Sequence, residues 1–198
     1  MTLRNPYAPH VGFVAPARAR ADIWRVAVVC IGFEAAFLLA PFLVEALAPN
    51  QAAIDAFRAS TTPVTTLVQF FSFGITAAAL LFLVRLLHDR GLDSILGVPV
   101  RDDLIRVAIA VALVLAVQEP LLLWLDRDLI GEVRDIGQWA IWLIPGMAAL
   151  LVQVSTEELF FRGYLQQQLA AWSSSRWVWM VVPSVAFGMA HYYNGVDA

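Results

Sequence analysis

Lysine is absent from this 198-residue chain, cysteine occurs once, and only 15% of the residues are charged. All thirteen basic residues are arginine, which reflects base composition and carries no chemistry of its own. The single thiol, Cys30, can form no internal disulfide, and without a CxxC pair no thiol-ligated metal centre is expected. It lies in an apolar run and reads as a small buried hydrophobe. The small net charge of -3 excludes a nucleic-acid footprint. A signal-peptide layout is missing as well. Residues 1–21 are polar, with Pro6, Pro9, Pro16, Arg4, Arg18 and Arg20, so the first apolar run should remain as a span.

The scarcity of charge weighs most. Soluble domains carry roughly a quarter charged residues. Here 60% of the chain is hydrophobic and the mean hydropathy is +0.71. One aqueous core cannot bury so much apolar surface, so a second apolar solvent, lipid, is implied. A span needs about 20 apolar residues. Five candidates follow: Ile23 to Ala46, Val64 to Leu87, Leu104 to Leu125, Trp139 to Val154 and Trp177 to Tyr193. Trp124, Trp139, Trp142, Trp172, Trp177 and Trp179 fall near the run ends, as interfacial aromatics do. The fold class is therefore all-α, a polytopic transmembrane bundle of about five spans, with membrane lipid as its first partner.

Arginine also sets the orientation. Arg4, Arg18, Arg20 and Arg25 flank the first span, and Arg85, Arg90, Arg101 and Arg106 lie between the second and third. The Ala48–Pro63 connection has only Arg58. The positive-inside rule places the N-terminus in the cytoplasm, together with the connection holding Arg176. The expected organisation is a tail over 1–22, N-terminal spans over 23–135 and a motif-bearing region over 136–198. No internal repeat is visible.

The informative segment is Ser155-Thr156-Glu157-Glu158-Leu159-Phe160-Phe161-Arg162-Gly163. A charged acid at the centre of a span costs about 2.5–3.5 kcal/mol on insertion scales. Glu158 and Arg162 stand i,i+4, so on an α-helix they face each other and can pair. Glu157 points about 100° away and has no built-in counter-ion, which makes it the chemical candidate. A competing reading is a capping box, with Ser155 and Glu158 starting a cytoplasmic helix after Val154.

His191 favours the first reading. The pattern predicts a helical hairpin with its break at Ser173-Ser174-Ser175-Arg176. Glu157 lies 15 positions before Trp172 and His191 lies 14 after Trp177. At 1.5 Å per residue both stand roughly 21–22 Å from the turn. A carboxylate and an imidazole would then meet at one depth, an acid/base or metal-ligand constellation. The bland alternative is an interfacial histidine beside Tyr192 and Tyr193. Glu34 and Glu119, before Pro120, are further intramembrane acids without a partner legible in sequence. Gly74 and Ala78 form a weak small-xxx-small packing signal. His10 and His88 lie in polar segments and are expected to be solvated.

Glu157-Glu158-x-x-x-Arg162 followed by Phe187-Gly188-Met189-Ala190-His191 resembles the CPBP family of intramembrane proteases. That family includes the CAAX prenyl endopeptidases, bacterial Abi proteins and bacteriocin self-immunity proteins. Its EExxxR and FxxxH motifs are both complete here and in order. Ile95-Leu96-Gly97-Val98 is a fainter echo of an LGL-like turn in relatives. The resemblance implies peptide-bond hydrolysis within the bacterial inner membrane, with a peptide or membrane protein as substrate. Glu157 would activate water, and His191 would position it or stabilise the oxyanion. Glu158 and Arg162 would hold the geometry, and Phe187 would pack behind His191. The family is often called metalloprotease, which implies Zn(2+) with Glu157 and His191 as ligands; a metal-independent mechanism is the alternative. Relatives carry a third motif in a later span, from a His to an Asn or similar residue. The chain reaches only Ala198, and Asn194 lies in a Tyr-Tyr-Asn-Gly turn. The expectation is a truncated piece of a longer protein, with a shortened, inactive member as the alternative. Two further functions compete: a non-catalytic membrane scaffold or immunity protein of the same family, and a transporter or proton relay using Glu34, Glu119 and Glu157.

Overall fold

A computed structural model describes residues 8–97 and 136–192, together with helical positions between 105 and 124. The described residues are helical and contain no strand. The chain divides into two compact units, Met1–Gly97 with Gly146–Ala198, and Val98–Pro145. In the second unit, described apolar side chains such as Ile109, Leu113, Val117 and Leu121 are exposed.

The first unit opens with a short helix α1 (Ala8–Val14) and a 3-10 turn (Ala15–Arg20). Two long helices follow, α2 (Ile23–Ala46) and α4 (Pro63–His88). Both are long and apolar enough to cross a membrane, with mean hydropathies of 2.3 and 2.2. They pack along each other and are joined by α3 (Gln51–Ala59), an arrangement with local causes. Asn50 caps α3 by accepting from Ala53 N at 2.9 Å, and Ser60 stops it in the left-handed region at φ 48°. Thr62 and Thr65 form a reciprocal capping box, with Pro63 at the first position of α4. Arg58 grips Glu45 with two 2.7 Å bonds and ties α3 back to the end of α2.

α5 (Leu92–Leu96) then crosses the base of the unit. The third long element runs from α6 (Ile136–Glu158) through a π-helical stretch (Leu159–Leu165) into α7 (Gln166–Trp172). Its apolar part, Ala140–Trp172, is 33 residues long and is the third helix able to span. Ser173–Ser175 break the chain, and α8 (Arg176–Ala190) returns. The expected hairpin is therefore present. The fifth expected span, however, is a 15-residue helix, below the roughly 20 residues a crossing needs. The expected span Leu104–Leu125 lies largely outside the described residues. The capping-box reading of Ser155 is corrected: Ser155 and Glu158 lie inside a continuing helix, because apolar residues persist on both sides of them.

The core joins Val26, Val29 and Phe33 of α2, Leu80 and Val84 of α4, Ile95 of α5, and Phe160, Phe161, Tyr164 and Leu165 of the π stretch. Phe33 stacks on Phe160 with centroids 3.9 Å apart and planes 2° from parallel. Gly163 lets α5 approach. A Cβ there would collide with Ile95 Cγ2 and stand 3.2 Å from Ile95 O.

A polar layer closes the base of this core, and here expectation fails. His88 was expected to be solvated, yet it is 3% exposed. The N-terminal segment folds over the end of α4 and places the Arg20 carbonyl 2.9 Å from His88 Nδ1. A carbonyl only accepts, so this shorter contact, against the 3.2 Å approach of Gln168 Nε2 to the same atom, sets Nδ1 as the donor and leaves Nε2 to accept from the Tyr164 hydroxyl at 2.9 Å. Beside it Arg90, 6% exposed, donates to Ser94 O at 3.0 Å and to Gln167 Oε1. Gln167 Nε2 in turn donates to Ser94 O at 3.0 Å. His10 is also not solvated: its ring stacks on Trp179 at 4.2 Å. Burial lowers the pKa of that ring from the ordinary 6.5.

Candidate active site

Glu157 stands on the last turn of α6, just before the helix changes period. His191 is the C-terminal cap of α8. The hairpin brings them together: His191 Nε2 lies 3.7 Å from Glu157 Oε1. The Glu157 side chain is 16% exposed and that of His191 34%, so the pair is half-buried but reachable. The equal depth expected from counting along the two arms is what the structure has.

Each member is held by neighbours. His191 Nδ1 lies 2.9 Å from the Phe187 carbonyl oxygen, one turn back on α8. That carbonyl can only accept, so in the neutral ring Nδ1 bears the hydrogen and Nε2 turns its lone pair toward Glu157. Phe187 packs at 4.3 Å against the His191 ring and meets Phe161 edge-on at 5.2 Å. It thus lies against the imidazole. Gln153, one turn before Glu157, donates from Nε2 to Glu157 Oε1 at 2.9 Å. The Thr156 hydroxyl lies 2.8 Å from Val152 O and 3.3 Å from Phe73 O, which fastens this turn to α4. Gln153 was not singled out from the sequence, although its i,i+4 spacing to Glu157 was there to read.

Glu158 and Arg162 depart from expectation. Both are exposed, and no ion pair joins them among the described residues. Leu159–Leu165 is π-helical, a wider turn with i→i+5 hydrogen bonds, so i,i+4 neighbours no longer stand in α-helical register. The pairing spacing holds only on an α-helix. Glu34 lies midway along α2, exposed, and is not brought to Glu157. Glu119 and Asn194 lie outside the described residues.

Residues 138–198 match the model of the type II CAAX prenyl endopeptidase Rce1-like family. This C-terminal stretch is Rce1-like. Both motifs and the Glu157–His191 contact fall within it. Three helices among the described residues are long and apolar enough to cross a membrane. No curated protein and no solved structure matches the chain.

The donor set bears on a metal. Catalytic zinc takes three protein ligands plus a water. Glu157 and His191 supply two, and among the described residues no group of three His, Cys, Asp or Glu side chains converges. The described residues of the Rce1-like stretch do not make a zinc site by themselves, so no step below is routed through a metal.

Proposed function

We propose that the protein is an intramembrane endopeptidase of the CPBP type in a bacterial inner membrane, with Glu157 as the base that activates water. The observation that carries this reading is the 3.7 Å approach of His191 Nε2 to Glu157 Oε1 across the hairpin. That separation is too long for a direct hydrogen bond, and one bridging oxygen spans it. With both atoms presented as acceptors, such an oxygen is a donor to each, as a water is. Glu157 takes the proton as the water attacks the carbonyl of the scissile bond, and delivers it to the leaving amine. His191, its tautomer fixed by the Phe187 carbonyl, aims the water. The substrate is a peptide segment presented within the bilayer, since Glu157 lies on a helix long and apolar enough to cross it.

The test is the full chain in liposomes with a membrane-anchored fluorogenic peptide library. Cleavage lost in both Glu157→Ala and His191→Ala is the expected result; full cleavage in both variants overturns the proposal. General-base removal typically costs about 10²–10⁴ in rate.

A further inference from the structure

We infer that Gln153 is a positioning residue that selects which oxygen of Glu157 faces His191, an inference that rests on the Glu157–His191 reading above. Gln153 Nε2 donates to Glu157 Oε1 at 2.9 Å. Oε1 is also the atom that lies 3.7 Å from His191 Nε2. The two contacts converge on one oxygen and leave the other outside. A glutamate turns freely about its last torsion, whose profile is broad and roughly two-fold, so an unheld carboxylate presents either oxygen in a spread of directions. A donor fixed on one oxygen removes that freedom before substrate arrives.

The choice of residue type fits this task. A water-activating carboxylate needs orientation without a full neutralising charge, because a cation hydrogen-bonded to it weakens it as a base. A glutamine amide is a neutral donor that cannot ionise near neutral pH. Arg162, the cation the motif offers, is exposed and forms no ion pair with Glu157 among the described residues. Orientation thus comes from the N-terminal side of Glu157, where α6 is still regular and i,i+4 contacts are still made. Gln153 is half-buried. Thr156 fastens the same turn through its contacts with Val152 and Phe73, so the donor sits on a fixed backbone.

Gln153→Met keeps length and volume and removes the donor. In liposomes with the full chain and the anchored peptide, this variant should lose roughly ten- to a hundredfold in kcat with KM unchanged, the signature of a misplaced group and not of lost binding. Wild-type cleavage with an unchanged kcat in Gln153→Met overturns the assignment and leaves the peptidase reading standing. A second measurement needs no activity. With glutamine side chains labelled with 15N, the Gln153 amide resonance, assigned by its disappearance in Gln153→Met, should move in Glu157→Ala and stay put in Glu158→Ala. A resonance indifferent to Glu157→Ala overturns the assignment even if the wild-type chain cleaves nothing, the outcome that would separately sink the peptidase reading.

Discussion

Glu157 and Glu158 are neighbours in sequence with opposite surroundings: one is half-buried against His191 and Gln153, and the other is exposed. Removing Glu158 should therefore cost little. A double-mutant cycle on Glu158→Ala and Arg162→Ala, read by unfolding in bicelles, should give a coupling below about 0.3 kcal/mol, as for independent sites. A coupling above about 1 kcal/mol would mean that the pair forms. Tyr164→Phe should behave differently. It leaves the buried His88 Nε2 without its donor, so a loss of about 1–3 kcal/mol is expected in the same assay. At this scale the sequence was half legible. The shared depth of the lone acid and the histidine could be read because a hairpin obeys counting rules, and Phe187 came from the family resemblance. The Glu158–Arg162 pairing failed because counting assumed an α period. The burial of His88 was hidden because it depends on Arg20, 68 positions away.

Between elements, the tightest join is α5 against the π stretch. Gly163→Ala should be destabilising by about 1–3 kcal/mol through overpacking against Ile95. Ile95→Ala in the same chain should recover part of that loss, since it opens the space the new methyl needs. No recovery would show that the backbone at Ile95 O, and not its side chain, sets the limit. A second join is that of α1 to α8 through His10 and Trp179. Burial lowers the His10 pKa, so the docked ring stays neutral where a free one would take a proton. The sign follows: docking is at full strength above about pH 6.5 and weakens as pH falls below it, because the released ring binds the proton more readily. Hydrogen-exchange protection of α1 should drop on acidification through that range, and His10→Phe should abolish the pH dependence. The helices and the hairpin turn at Ser173–Ser175 were legible from hydrophobic runs and polar breaks. The π stretch was not, because nothing in Leu159–Leu165 departs in composition from an ordinary apolar helix.

For the molecule as a whole, the arginine distribution predicts its sidedness. Single cysteines placed at Asp55 of α3 and at Arg176, in a chain whose Cys30 is replaced by Ala, should react from opposite faces of sealed vesicles. A membrane-impermeant maleimide should label position 55 from outside and position 176 from the cytoplasmic side. Labelling of both from one face would refute the assigned orientation. The all-α membrane class was legible because composition alone demands lipid. The traverse by α8 was overestimated, since apolar residues continue past the point where the helix ends at Ala190. The hairpin also has a consequence in time. Glu157 leaves the ribosome 34 residues before His191. During synthesis Glu157 is therefore present before its partner is. Only when the three-serine turn has been made and α8 has folded back can His191 reach Glu157, so the pair is the last feature of the hairpin to be assembled.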